Sequence, residues 1–115
     1  MHELSIAVSI VDGALEELER QGATQAAAVY VRVGRLSGVD KDALLFSYGI
    51  ACQDTALAGS QLVIEDIEVS ILCPVCGLER PTRSFPTLTC SECGAMADRV
   101  VRGEELEIRA MEVVA

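Results

Sequence analysis

The sequence predicts an α+β fold: two helices packed on a three-stranded sheet, with a cysteine-rich segment inserted between the last two strands. Three observations carry this reading. Apolar residues recur at helical spacing near the start of the chain, three later segments alternate with a period of two, and the alternation is interrupted by a pair of C-x-x-C-G repeats.

Leu4, Val8, Val11, Leu15 and Leu18 recur at steps of four and three, which places one apolar stripe on a helix from Glu3 to Arg20 with acids on the opposite side. Gln21-Gly22 is its stop, because glycine tolerates the left-handed conformation that ends many helices. "AAAVYVRVGRL" then alternates, with Val29, Val31 and Val33 on one face and Tyr30 and Arg32 on the other, as in a half-buried strand. "GVDKDALLFSYGIACQDTALAG" predicts the second helix, with Asp40 as its cap, Leu44, Leu45, Tyr48, Ala51 and Cys52 on the buried side, and Gly59 ending the connection. "QLVIEDIEVSIL" predicts a second strand that sets Ile67, Val69 and Ile71 against Asp66, Glu68 and Ser70, with a bulge at Glu65 where the phase breaks. "GEELEIRAMEVV" resumes alternation through Leu106, Ile108 and Ala110 as the third strand. From Cys73 to Arg102 there is no periodicity, and a loop of that length needs its own source of order. The chain is thus expected to comprise a body of residues 1–72 plus 103–115 and an inserted domain of residues 73–102.

Composition limits the functions open to such a chain. At 115 residues it has room for one domain and a small appendage. Half the residues are hydrophobic, but only Tyr30, Phe46, Tyr48 and Phe85 are aromatic, so platforms for stacking bases or sugars are scarce. A formal charge of −9 repels a phosphate backbone and argues against nucleic acid. The first apolar stretch lacks a basic leader and is interrupted by Asp12, Glu16, Glu17 and Glu19, which is unlike a secretory signal, and no run approaches a membrane span. The expectation is a soluble cytoplasmic protein with reduced thiols, in which paired cysteines are metal ligands before they are disulfides.

Those pairs are "CPVCG" and "CSECG". Each lets two thiolates approach one ion while the glycine permits the tight turn that frees backbone N–H groups to bond sulfur. Cys73, Cys76, Cys90 and Cys93 together make a four-cysteine zinc ribbon, although iron would fit the same four sulfurs. Four protein ligands leave no open coordination position, so the metal is expected to be structural and the chain not to be an enzyme. A redox dithiol explains one such pair and not two. Cys52, on the buried side of the second helix, is expected to be a small core residue rather than a ligand.

Charge is divided unevenly. Residues 73–102 carry Arg80, Arg83, Arg99 and Arg102 against Glu79, Glu92 and Asp98, whereas the other 85 residues hold five basic and fifteen acidic groups. The body therefore attracts cations or a basic surface, and the arginines either screen the thiolates or make a local contact.

His2 is the sole imidazole. Its Nδ1, its own backbone nitrogen and the Met1 amine can close two adjacent chelate rings in one plane, a tetragonal nitrogen set that suits Ni²⁺ or Cu²⁺. Glu3 adds negative charge beside the positive end of the first helix. The triplet alone is too short to distinguish this from a polar residue on a loose end.

Taken together, "MHELSIA" at the start, the helix-strand-helix-strand body and the paired knuckles before a final acidic strand resemble the HypA/HybF family of hydrogenase nickel-incorporation metallochaperones. The resemblance runs over essentially the whole chain. It implies Ni(II) as transferred cargo on His2, with backbone nitrogens near Met1, His2 and Glu3 and with Glu3 in support, and structural Zn(II) on Cys73, Cys76, Cys90 and Cys93. It further implies delivery to the large subunit of [NiFe] hydrogenase together with a GTPase partner; some members also serve urease. Some members add a histidine near the zinc site, and this chain has none. The apolar helix stripe is compatible with a homodimer. Two other readings compete: a zinc-ribbon module that binds protein or nucleic acid through its arginines, and a small metalloenzyme using His2 as a base.

Overall fold

In the computed structural model, which describes residues 2–114, the first helix α1 runs from Glu3 to Arg20 as its periodicity predicts. Its end is a Schellman motif. Gly22 adopts φ 69°, its N–H donates to Glu19 O at 3.0 Å, and Ala23 N–H donates to Leu18 O at 2.9 Å. The buried side differs from the expected stripe. Ile6, Ala7, Ile10, Val11, Ala14 and Leu18 are buried, while Leu4 and Val8 are 47% and 43% exposed. Residues 4–15 are apolar almost all round, so a second stripe through Ala7, Val11, Ala14 and Leu18 has the same spacing, and its small alanines let α1 approach its neighbours closely.

Strand β1 (Ala26–Gly34) buries Val29, Val31 and Val33 as expected. A 3₁₀ turn, Arg35–Ser37, follows and leads to α2 (Lys41–Ala51). Asp40 caps this helix, accepting the Ala43 N–H at 3.1 Å. Leu44, Tyr48 and Cys52 are buried as predicted, but Leu45 is 44% exposed and Ser47 takes a buried position instead. Ser47 lies three residues from Leu44 and Leu45 three residues from Tyr48, so both border the buried side and packing against α2, not spacing, chooses between them. The Tyr48 hydroxyl meets Ser60 Oγ at 2.7 Å, and Ser60 donates to Leu57 O at 2.6 Å, which fastens the turns after α2. Burial pushes the Tyr48 phenol up to about 12, with Cys52 adding to the rise.

The predicted long second strand is two strands in two sheets. β2 (Gln61–Ile67) joins β1 and the last strand β6 (Leu106–Val113) in the order β2-β1-β6. β3 (Ser70–Leu72) is the centre of a second sheet, between β4 (Glu79–Pro81) and β5 (Val100–Arg102). The strand ends at Ile67, with Glu65 inside β2. Its carboxylate lies 3.7 Å from Arg32 and 3.9 Å from Arg109. The segment expected to be irregular thus has a sheet of its own, with the register Ser70↔Pro81, Ile71↔Arg80 and Leu72↔Glu79.

The chain divides into two compact units, each drawn from separate stretches. One takes residues up to Arg32, Val39–Glu65 and the chain from Glu107; the other takes Val33–Gly38 and Asp66–Leu106. In the first unit, α1 and α2 pack together and Glu3 Oε2 accepts the Asp40 N–H at 3.2 Å. In the second, Leu36 N–H donates to Gly103 O at 2.6 Å, and a Cβ placed on Gly34 would lie 2.1 Å from that same oxygen. Two backbones touch there, so only glycine fits. Gly34→Ala is expected to cost about 3 kcal/mol or more, because neither backbone can yield as a side chain would. A fall in melting temperature checks this; an unchanged value would contradict the close approach. Among the described residues no helix is long and apolar enough to cross a membrane.

Candidate metal centre

The four cysteines predicted as ligands come together in the second unit. Their sulfurs all lie within 4.8 Å of one another, with Cys73 Sγ and Cys93 Sγ at 3.5 Å. Tetrahedral zinc with Zn–S bonds of about 2.3 Å needs sulfurs roughly 3.8 Å apart, so the cluster has the size of a single ion's shell. Cys52 stands outside the cluster, buried at the end of α2.

The knuckles fold alike because their sequences are alike. Gly77 N–H donates to Cys73 O at 2.9 Å and Gly94 N–H to Cys90 O at 3.0 Å, with both glycines in the left-handed region at φ 71° and 75°. Each turn is closed by a second bond, from Cys73 N–H to Leu78 O at 3.0 Å and from Cys90 N–H to Ala95 O at 2.9 Å. The turns aim backbone donors at sulfur: Cys76 N–H points to Cys73 Sγ at 3.3 Å and Glu92 N–H to Cys90 Sγ at 3.4 Å. The leading cysteine of each knuckle is fully buried and packs with Ile71 and Ala97 as a small core. Here the ligands are themselves the hydrophobic centre of the unit.

These donors divide the thiols into two kinds. The Cys93 N–H, then that of Glu92, holds Cys90 down to about 6, and the Cys76 N–H lowers Cys73 below its usual value. Cys76 is raised by its neighbour Cys73. Cys93 receives an N–H from Ala95, but the crowding of Cys73, Cys90 and Cys76 together with desolvation outweighs it and lifts Cys93 to about 11. Four thiolates at this separation cannot all ionise unless a cation neutralises them, which a bound divalent metal does.

Metal loading at pH 7 is therefore expected to release about two to three protons, because Cys90 is already ionised while Cys76 and Cys93 are not. Below about pH 6 Cys90 holds its proton too, so release per metal rises and affinity falls; towards pH 11 release falls and affinity rises. Calorimetry in two buffers of different ionisation enthalpy measures the count. A value of zero at pH 7 would contradict this division of the thiols.

His2 lies in the other unit, exposed, as the N-cap of α1 at φ −83° and ψ 133°. Its carbonyl accepts the Ile6 N–H at 3.2 Å, while its side chain makes no capping bond. The Met1 amine, the other nitrogen expected near it, lies outside the described residues. Glu3, expected in support, uses its carboxylate to accept the Asp40 N–H. Among the described residues, no second cluster of three histidine, cysteine or acidic side chains gathers around His2.

The arginines of the insertion fall into distinct roles that the sequence leaves unseparated. Arg102 pairs with Glu79 at 2.8 Å, and the Ser70 hydroxyl together with Arg102 holds that carboxyl below its usual range. Arg83 covers Gly94, where an added Cβ would meet Nη1 at 2.9 Å. The Arg80 guanidinium acts electrostatically on Cys76, and its Nε is buried with no hydrogen-bond partner. Strand register sets Arg80 and Arg102 apart, and spacing does not encode it.

A model of the hydrogenase/urease nickel-incorporation metallochaperones, hypA, matches residues 1–113. The chain belongs to this family. Among its relatives, the hydrogenase maturation factor HypA of Chloroflexus aggregans is 41% identical over 112 residues, covering 97% of this chain and 98% of the relative. That of Synechococcus elongatus is 39% identical over 115 residues, covering 99% of this chain and all of the relative. The fold is shared with the solution structure of the Ni metallochaperone HypA from Helicobacter pylori, at TM-score 0.71 and 22% identity over 100% of this chain and 99% of that one. A second HypA solution structure gives TM-score 0.76 at 21% identity, over 99% of this chain and 97% of that one.

Proposed function

We propose that the protein is a nickel metallochaperone that binds Ni(II) through His2 and delivers it during maturation of [NiFe] hydrogenase, while zinc in the four-cysteine centre holds the second unit together. The observation that carries this is the family match over residues 1–113, which takes in both His2 and all four cysteines. We assign nickel to the body, residues 1–72 plus 103–115, and zinc to residues 73–102. Four ligands close the zinc shell, so that metal organises the chain and takes no part in exchange.

His2 suits cargo for the opposite reason. It is exposed and makes no capping bond, so its imidazole is free to take a metal without breaking a contact that holds the fold. Backbone nitrogens near Met1, His2 and Glu3 complete the proposed ligand set, and deprotonation of an amide makes binding tighten with pH. A site with few side-chain ligands at the edge of a unit leaves nickel open to attack by an incoming acceptor. The acceptor is the hydrogenase large subunit, with a GTPase partner, in the cytoplasm. A homodimer through the exposed apolar residues of α1 fits the same reading.

The test is a titration of the purified, untagged chain with nickel and zinc counted separately across pH. One tightly held zinc and one weaker nickel whose affinity rises with pH are expected. Zinc alone, with no nickel at any pH, would overturn the proposal and leave a zinc-ribbon interaction module.

A further inference from the structure

Among the four sulfurs, the strongest stabilising contact on three is a backbone N–H: that of Cys76 on Cys73, of Cys93 on Cys90, and of Ala95 on Cys93. Cys76 breaks the pattern. The residue equivalent to Ala95 in its knuckle is Leu78, yet the group that most favours the Cys76 thiolate is the guanidinium of Arg80. β4 sets it there by register. Arg80 pairs with Ile71, which is fully buried and packs with Cys73, Cys90 and Cys76, so the arginine stem is held against the sulfur core. Its Nε is buried without a hydrogen-bond partner, and the charges of Cys76, Glu92 and Cys90 all act on it. A guanidinium half-withdrawn from water with an unpaired N–H is costly unless negative charge close by offsets it.

We propose that Arg80 is a positioning residue of the metal centre: its guanidinium supplies Cys76 with the donor that backbone supplies to the other three ligands, and so retains the bound metal. Four thiolates around a divalent ion leave two negative charges in a half-buried site, and a fixed cation beside the ligand offsets part of that charge. Cys76 carries the effect because it is the ligand on which Arg80 acts most strongly. The inference rests on the reading of the centre as a zinc site.

The test follows zinc transfer from the purified, zinc-loaded full chain to the chromogenic chelator 4-(2-pyridylazo)resorcinol. Mass spectrometry records in parallel which cysteine iodoacetamide alkylates first. Arg80→Met is expected to speed release by about tenfold or more and to make Cys76 the first residue modified. Arg80→Lys keeps a cation without the planar fork and is expected to restore part of the retention. Arg102→Met, which removes a charge paired with Glu79 and not with sulfur, is expected to release zinc within about twofold of the parent chain. Release and alkylation order unchanged in Arg80→Met would overturn the proposal, as would equal loss of zinc in the Met and Lys variants, which is the mark of a packing role. Failure of Arg80→Met to load zinc while Arg80→Lys loads it supports the proposal. A parent chain that binds no zinc would overturn instead the zinc reading itself.

Discussion

Cys90→Ser is expected to unfold the cysteine unit while α1 and α2 remain folded. Cys90 is fully buried, and among the described residues the core around it holds Ile71, Cys73 and Ala97, with Cys76, Leu88, Ala95 and Val100 packed partly buried against it. Burying side chains of this size contributes about 1.5–3 kcal/mol for the isoleucine and less for the others, whereas metal binding supplies on the order of 10 kcal/mol to such a segment. The metal term wins by a wide margin. Removing one ligand also leaves three thiolates and a hydroxyl in a space built for four sulfurs. Amide hydrogen exchange measures the result: protection in β3, β4 and β5 should fall to the level of open chain, while that of Ala7, Val11 and Ala14 persists. Retained protection in the three short strands would mean that side-chain packing, and not metal, holds the unit.

His2→Ala is expected to abolish nickel binding and leave zinc content and melting temperature unchanged. The side chain is exposed and caps nothing, so its loss removes no packing and no capping bond. It does remove the only imidazole in the chain. Losing an outer-shell partner of a metal costs about 10–100-fold in affinity, and losing a ligand from so small a set costs more. Nickel stoichiometry after dialysis, read beside zinc in the same sample, separates the two metals. Nickel bound equally by the variant would exclude His2 as the ligand.

The sequence discloses the cysteine centre more readily than the helix it accompanies. Two C-x-x-C-G repeats specify local turns, and the turns bring each sulfur pair together whatever surrounds them. β1 was equally legible, because a strand with Arg32 and Tyr30 between valines has one register that buries the valines. α1 was not. Its first twelve residues offer two overlapping apolar stripes, and the choice of Ala7 and Ala14 over Leu4 and Val8 is made by what packs against it. The division of "QLVIEDIEVSIL" between two sheets is a tertiary event as well, since both halves read as strand. Arg80 stood unmarked among four arginines because its meaning depends on standing opposite Ile71, a pairing across the eight residues that separate them.

The order of strands in the first sheet has a consequence for the birth of the protein. β1 is the central strand, yet one of its two neighbours, β6, ends 46 residues after β2 does. At about 5–20 residues per second a ribosome takes roughly 2–9 s to cover that stretch. During this interval an apolar strand has one edge without a partner, which is the condition that invites aggregation. All four cysteines emerge inside the same interval. Prompt capture of metal would fold the intervening segment and leave β6 a shorter search for its place. A nascent chain starved of that metal is accordingly exposed at an edge that contains no cysteine at all.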